Sequence, residues 1–304
     1  MDKQKTVLFI LLAAVVVVSG CTSGGLQGSR ILAIEAFEPD IRGVDINPGE
    51  EVRLTLIVRN TGTEKAKDVT ADIIGLEDWA ETGTTCKSGT VIATELAAPR
   101  PAENFPGQSK QCIFVFKAPE KLPLDKSFQT KVSIRYSYDS TTVATIRLPS
   151  REKFVIKQDA GGSLDSETIF KSTSPVDIDL NTKGQASQIR ILQNKDVRFP
   201  LFITVNNIGG GFVCSDPSKC GETLKRFSLD ITSGDPQKLR LENCAGKQEI
   251  DLFKGQQGEL KCDLVAPGAT ELLTEELVSI TTKSAGYGYT IEQQGQQLKV
   301  KREV

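Results

Sequence analysis

The cysteines are the residues of this chain whose chemistry is easiest to specify from sequence. The seven cysteines divide into Cys21, near the N-terminus, and six others farther along the chain, which are Cys86, Cys112, Cys214, Cys220, Cys244 and Cys262. An even number of cysteines in a secreted protein indicates disulfides. Zinc is the alternative, but the sequence has no C-x-x-C pair and no histidine to complete such a site. We therefore predict three disulfides and no metal site.

The complete absence of histidine restricts the possible functions. It excludes Ser-His-Asp and Cys-His triads, and it removes the commonest general base near neutral pH. Carboxylate pairs and Ser-Lys arrangements remain chemically possible, but no motif for either is present. We therefore predict a protein that is not an enzyme and that needs no cofactor.

One acidic stretch has the spacing of a calcium loop. Asp177, Asp179 and Asn181 form a D-x-D-x-N pattern, but Thr182 and Gln188 occupy the positions where such a loop has Gly and Glu. Apolar residues alternate with the acids, as in a strand with its carboxylates in solvent. The strand is the preferred interpretation.

A glycine-rich loop is the predicted contact surface of the protein. It comprises Asn207, Gly209, Gly210 and Gly211, and it precedes the cysteines Cys214 and Cys220. The glycines suggest a phosphate loop, but no Lys-Ser/Thr follows them. A wide turn beside a small disulfide loop fits better.

Two Tyr-x-Tyr pairs, Tyr136 with Tyr138 and Tyr287 with Tyr289, have two interpretations. They form either an aromatic binding platform or one packed face of a sheet with the hydroxyls near its rim. The spacing of two favours packing.

The N-terminus has the three parts of a secretory signal. Lys3 and Lys5 precede an apolar run over 7–18, and small residues then lead to Cys21. The run is shorter than the approximately 20 residues of a membrane-spanning helix. Val18-Ser19-Gly20-Cys21 resembles the lipobox of secreted lipoproteins, which implies cleavage before Cys21 and lipidation of its sulfur. An uncleaved anchor is the alternative, and both place the rest of the chain on the extracellular face of the membrane.

The composition predicts an all-β protein with no nucleic-acid partner. The formal net charge is -2 and the pI about 5.6, so the chain lacks the basic excess of nucleic-acid-binding proteins. Glycine and proline residues separate short segments in which apolar and polar residues alternate, as expected for β-strands joined by turns. The clearest is 52–59, in which Val52, Leu54, Leu56 and Val58 share one face. We also predict that 131–138 pairs with 142–148 as a hairpin, and that 154–156 extends the sheet.

The second half of the chain repeats the first. Leu54 to Gly62 is echoed by Leu201 to Gly209, and further echoes of Cys-Ala-Pro, Val-Ser-Ile and Tyr-x-Tyr follow in the same order. This pattern indicates a duplicated domain. We predict a signal peptide at 1–20, a Gly/Ser-rich tether at 21–29, a first domain at 30–157, a linker at 158–167 and a second domain at 168–304.

The repeat also predicts the disulfide pairs. Cys86 and Cys112 occupy the places of Cys244 and Cys262, so each of these pairs should form one bridge. The two remaining cysteines flank a turn and should close a small local loop.

Pro48-Gly49-Glu50-Glu51, the alternating strand and Asn60-Thr61-Gly62 resemble the CARDB-type and related immunoglobulin-like modules of prokaryotic, especially archaeal, surface proteins. The resemblance covers about 25 residues of the first repeat. In the second repeat Asn194-Lys195-Asp196 replaces the Pro-Gly turn, and Pro200 interrupts the start of the strand. It implies two tandem immunoglobulin-like β-sandwiches and an archaeal source. Members of that group are mostly non-catalytic spacers, adhesive modules or surface-layer parts.

These observations predict a structural, adhesive or protein-binding module tethered to the membrane through Cys21. Its expected partners are other surface proteins or glycans. The alternative is an accessory subunit that presents a peptide or glycan ligand to a membrane complex, and a pocket between the domains would favour it.

Overall fold

The fold is almost entirely β. The computed structural model describes residues 31–41, 45–83, 85–149, 151–162, 167–184, 195–214, 220, 226–268 and 276–302. Within these ranges antiparallel strands predominate, with one α-helix and one 3-10 turn at Pro101–Glu103. The predicted all-β sandwich fold is thereby confirmed. None of the helical segments in these ranges has the length and hydrophobicity that a bilayer-spanning helix requires.

The strands fall into two sets along the chain. The first half contains β1 (Leu32–Pro39), β2 (Glu51–Asn60), β3 (Ala66–Ile74), β4 (Ala80–Glu81), β5 (Thr90–Leu96), β6 (Ser109–Lys117) and β7 (Lys126–Leu148). The helix α1 (Arg151–Asp159) follows. The second half contains β8 (Glu167–Lys171), β9 (Val176–Asn181), β10 (Val197–Asn207), β11 (Phe212–Cys214), β12 (Arg226–Ser233), β13 (Arg240–Glu242), β14 (Gly246–Asp251), β15 (Gln257–Ala266) and β16 (Glu276–Val300).

Two four-stranded sheets, which we call the covering sheets, have equivalent strand orders. One has the order β1-β2-β6-β4 and the other β9-β10-β15-β13. In β2 the predicted alternation is confirmed, because Val52, Leu54, Leu56 and Val58 are all buried while the residues between them are at least partly exposed. Each covering sheet therefore contributes one apolar face to a core.

A third sheet, which we call the shared sheet, joins the two halves. Its order is β14-β12-β16-β7-β3-β5, with β8 beside β7 and β11 beside β16. The central pair, β7 and β16, is antiparallel from Leu148 opposite Glu276 to Lys126 opposite Val300. One continuous apolar core includes residues of both halves.

The predicted hairpin between 131–138 and 142–148 is wrong. Both segments belong to the single strand β7, which runs straight through Asp139 and Ser140. These two residues are common in turns but lack the glycine that favours a two-residue hairpin. A partner for both segments is available instead in β16, from the other repeat.

The pairing of β7 with β16 is nearly symmetric. Tyr138 lies opposite Tyr287, and Tyr136 lies opposite Tyr289, so exchanging the two strands preserves the pairing. A pseudo-two-fold axis therefore passes through the shared sheet at its centre, as in an isologous dimer interface. Both covering sheets consequently pack on the same face of the shared sheet.

Two bulges in β16 accommodate its greater length. It has 25 residues and β7 has 23. The register shifts between Ser284 and Tyr287 and again between Gln294 and Gln297, so that two residues of β16 oppose one of β7 at each place. Gly286 adopts φ +68° in the first bulge, and a Cβ on Gly295 in the second would collide with Phe37. The glycines are therefore required by the bulge geometry.

The segment between the halves contains a helix, so the prediction that 154–156 extends the sheet is wrong. Glu152 lies in the first turn of α1 and Lys157 in the last, where the helix dipole favours their charges. The predicted linker at 158–167 includes the last two residues of α1 and the first residue of β8. The domain boundaries stay a prediction, and the shared sheet adds that the two halves are joined by strand pairing.

Three disulfides cross-link the described parts of the two sandwiches. They join Cys86 to Cys112, Cys214 to Cys220 and Cys244 to Cys262, with Cα–Cα distances of 5.5, 5.1 and 5.6 Å. The bridges Cys86–Cys112 and Cys244–Cys262 are the pairs that the repeat predicts, and Cys214–Cys220 closes the predicted local loop. The second cysteine of each long bridge lies in the equivalent strand, β6 or β15.

A buried asparagine explains the Asn-x-Gly motif of the first repeat. Asn60 is fully buried, and its Nδ2 donates to the carbonyl oxygens of Glu64 and Leu96, each at 2.8 Å. Its Oδ1 accepts from the backbone N–H of Gly62 at 3.0 Å. A Cβ on Gly62 would collide with the Tyr138 hydroxyl, which itself accepts from the backbone N–H of Glu64 at 2.9 Å.

The variant Asn60→Ala should lower the free energy of unfolding by roughly 1–3 kcal/mol, because it leaves buried backbone groups without partners. The measurement is urea denaturation followed by circular dichroism. The control is Asn206→Ala, which truncates a partly exposed amide near the end of a similar strand. Equal stability losses in the two variants would contradict the structural role of the Asn60 amide.

Candidate functional site

The glycine-rich loop predicted as the contact surface is a second copy of the Asn60 motif. Asn207 Nδ2 donates to the carbonyl of Gly211 at 2.9 Å, and Asn207 Oδ1 accepts from the Tyr289 hydroxyl at 2.7 Å. The Tyr289 hydroxyl accepts in turn from the Gly211 N–H at 2.9 Å. Burial raises the pKa of Tyr289 to about 12, so the phenol is a neutral donor at physiological pH.

The glycines of this loop have structural reasons for their type. Gly209 donates its N–H to the carbonyl of Pro175 at 3.0 Å, and a Cβ there would collide with Tyr289. A Cβ on Gly211 would collide with the carbonyl of Thr290, while Gly210 adopts φ +73° with open space around it. The fold accounts for these glycines, and binding by this loop stays a prediction.

The acidic stretch is a strand, as the preferred interpretation has it. Asp177 and Asp179 lie in β9, and their carboxylates form ion pairs with Lys171 Nζ at 3.1 and 2.8 Å. Asn181 accepts a hydrogen bond from the backbone N–H of Lys183. In the described part of the chain, no group of three or more Cys, Asp or Glu residues is arranged to hold a metal ion.

The four tyrosines form a packed cluster at the pseudo-two-fold axis. Tyr136, Tyr138, Tyr287 and Tyr289 are all buried, and the ring centroids of Tyr136 and Tyr289 are 5.8 Å apart. Burial raises the pKa of Tyr136 and of Tyr287 well above the usual value of 10.0. The packing interpretation is therefore correct, and no aromatic platform faces solvent at these positions.

The larger candidate surface is the opposite side of the shared sheet, which we call the open face. Along β7 the even-numbered residues from Phe128 to Leu148 are buried against the covering sheets, as when Thr142 Oγ1 donates to the carbonyl of Ile178 at 2.8 Å. The odd-numbered residues from Lys131 to Arg147 point the other way, and all but two serines are partly exposed. No described strand packs over this side.

An apolar patch interrupts the polar open face near the outer end of the second sandwich. Phe170 on the edge strand β8 is 67% exposed, and Leu277 on β16 is 58% exposed. They line a shallow depression of about 220 Å³ together with Thr145, Arg147, Glu167 and Thr168. Exposed apolar side chains rimmed by polar and charged groups are typical of contact surfaces.

Sequence reasoning missed this patch, although one signal was available. Leu277 directly precedes the buried residues Val278 and Ile280, so it lies out of phase with their alternation. A large apolar residue on the polar phase of a half-buried strand indicates an exposed apolar side chain. Cys21, the predicted lipid attachment site, lies outside the described residues.

Comparisons with known proteins do not name a family. No protein family matches the chain, and no curated protein matches it. Among solved structures, a protein of unknown function from Porphyromonas gingivalis W83 is 11% identical over 78% of this chain and 83% of that chain, with a TM-score of 0.19. The secreted serine protease VesC from Vibrio cholerae is 13% identical over 84% of this chain and 50% of that chain, with a TM-score of 0.20.

A third solved structure, the native conformation of E. coli alpha-2-macroglobulin, is 9% identical over 88% of this chain. This chain covers 23% of that protein, and the TM-score is 0.19. At such scores these likenesses carry no argument about fold or function.

The Asp139 carboxylate connects three strands at the centre of the open face, β7, β16 and β3. Asp139 Oδ1 accepts from the backbone N–H of Gly286 in the first bulge at 2.7 Å, and Lys67 Nζ lies 3.0 Å from Asp139 Oδ2. Partial burial disfavours the charged form, but the Gly286 amide and the Lys67 ammonium more than offset it. The pKa of Asp139 is therefore below its usual value of 3.8.

The stabilisation from Asp139 should be fully present above the unfolded-state pKa of 3.8 and should disappear as the pH falls through the lower folded-state value. The loss of stability on changing Asp139→Asn should therefore be constant above about pH 5 and shrink below pH 4. Urea denaturation across this range measures it. Asp230→Asn, an exposed carboxylate on β12, is the control, and a loss that grows as the pH falls would contradict the assignment.

Proposed function

We propose that this protein is a non-catalytic cell-surface lipoprotein that acts as a structural, adhesive or protein-binding module. The short apolar run followed by Val18-Ser19-Gly20-Cys21 supports a lipid on Cys21 and a location on the extracellular face of the membrane. Three disulfides support an oxidising compartment. The Pro-Gly turn and Asn-x-Gly motif support kinship with CARDB-type immunoglobulin-like modules of archaeal surface proteins.

The observation that carries the binding part of this proposal is the open face. Both covering sheets occupy one side of the shared sheet, so its other side is displayed to solvent over both halves. Charged and hydroxyl side chains dominate it, and Phe170 and Leu277 form an apolar patch at one end. A broad polar surface with a local apolar patch suits contact with another surface protein.

The alternative function is a subunit that presents a peptide or glycan to a membrane complex. The depression lined by Phe170, Leu277 and Arg147 gives this alternative one specific support. It lies at the outer end of the second sandwich and on the open face, so it is shallow and away from the junction of the two halves. Contact with another surface protein therefore remains the favoured function.

The lipid anchor predicts that the protein sediments with membranes and that Cys21→Ser releases it. Intact-mass measurement of the membrane-bound form should show loss of residues 1–20 and an added lipid mass. Ser19→Ala keeps a small residue and the cysteine, so this control variant should stay in the membrane fraction. An intact N-terminus on the membrane-bound protein would contradict lipidation.

The open face predicts where contacts with other surface proteins occur. A photo-crosslinking residue in place of Leu277 should form more inter-protein adducts in intact cell membranes than one in place of Lys261. Lys261 is the control because it lies on the outer side of a covering sheet in the same half of the chain. Equal or fewer adducts at position 277 would contradict the assignment of the contact surface.

A further inference from the structure

The point at which the chain enters the sandwich is fixed by several contacts. Ile31 is 1% exposed, and its carbonyl accepts from the backbone N–H of Thr61 at 2.7 Å. Its side chain packs so closely on Gly62 that a Cβ there would collide with it. The first described residue, Ile31, is therefore fixed against the body of the protein.

This entry point lies at the junction of the two sandwiches. Gly62 is packed against the hydroxyl of Tyr138, which lies near the middle of β7. Thr63 in the same turn bonds to the second half of the chain, since its Oγ1 accepts from the backbone N–H of Thr173 at 2.8 Å. The chain therefore joins the body at mid-length, and the two outer ends lie in opposite directions from it.

The orientation of the protein on the membrane depends on two lengths, which are the distance from the junction to each outer end and the reach of the chain between Cys21 and Ile31. A strand of 23 residues is about 75 Å long, so each outer end lies about 37 Å from the junction. The ten residues from Cys21 to Ile31 reach at most about 36 Å when fully extended. A chain of that length and Gly/Ser-rich composition has an average span of about 18 Å. Standing the body upright would therefore force its lower end into the bilayer.

We propose that the anchored protein lies with its long axis along the membrane, with the junction of its two sandwiches nearest the lipid. This proposal rests on the lipid anchor proposed above. An average tether span of about 18 Å against a half-length of about 37 Å limits the tilt to about 30°. Because the attachment is at mid-length, tilts in the two directions are equally available, so the two outer ends have the same average height above the surface. The junction of the two sandwiches therefore faces the bilayer surface. This orientation disfavours the role of a spacer that stands upright on the membrane.

The experiment measures the heights of the two ends directly. The six cysteines of the body form disulfides and Cys21 carries the lipid, so an introduced cysteine can be labelled alone. Lys121→Cys labels the outer end of the first sandwich, in the turn before β7, and Lys195→Cys labels the outer end of the second, before β10. Both positions are exposed lysines, which makes them a matched pair. Lys65→Cys labels the junction.

The lipidated variants are reconstituted in phosphatidylcholine vesicles that contain an acceptor-labelled lipid, and energy transfer from each dye is measured. We expect equal transfer from positions 121 and 195, with transfer from position 65 at least as high. High transfer from one end and low transfer from the other would overturn the proposal, because that result means the protein stands on one end.

The anchor itself is tested in the same vesicles. If Cys21→Ser protein binds them as well as the lipidated form, the proposed lipoprotein function fails, whatever the transfer values. If binding requires Cys21 but the two ends differ in height, only the orientation fails. Inserting ten Gly/Ser residues between Gly25 and Leu26 should lower the transfer from both ends by the same factor, and an unequal change would also contradict mid-length attachment.

Discussion

The structure depends on the antiparallel pairing of β7 with β16. Each of these strands extends beyond its own covering sheet into the other half of the molecule, where its partner continues the sheet. Half of the hydrogen-bonding groups of each long strand would lack that partner in a separated half, and an unpaired buried backbone group is costly. The shared sheet therefore makes the two sandwiches one cooperative body with one continuous core.

The same pairing explains why the sequence repeats are strongest where they are. Asn60 and Asn207 each close the turn after the equivalent strand, and Tyr138 and Tyr289 each supply the hydroxyl that satisfies a backbone N–H of that turn. The two tyrosines belong to β7 and β16, so each of these hydrogen bonds connects a turn of a covering sheet to the central pair of strands.

Local patterns in the sequence predicted the strands well and their partners less well. The alternation of β2 and the repeated cysteine positions needed only neighbouring residues or the comparison of the two halves, so the fold class and the disulfide pairs followed from them. The partner of Thr142 to Leu148 lies in the other repeat, and no local signal distinguishes it from a nearer strand. The sequence did not predict the open face, because that face exists only when both covering sheets pack on the same side of the shared sheet. That arrangement follows from the pseudo-two-fold axis.

The two bulges of β16 show what the central pair means for the divergence of the two copies after duplication. In ordinary tandem domains, a residue gained by one copy affects only that copy. Here an extra residue within β16 has to be accommodated opposite β7, and the bulges at Gly286 and Gly295 are the two places where β16 has one residue more than its partner. Each half therefore constrains the length of the other, because a change in one long strand has to be matched or accommodated in the strand that pairs with it.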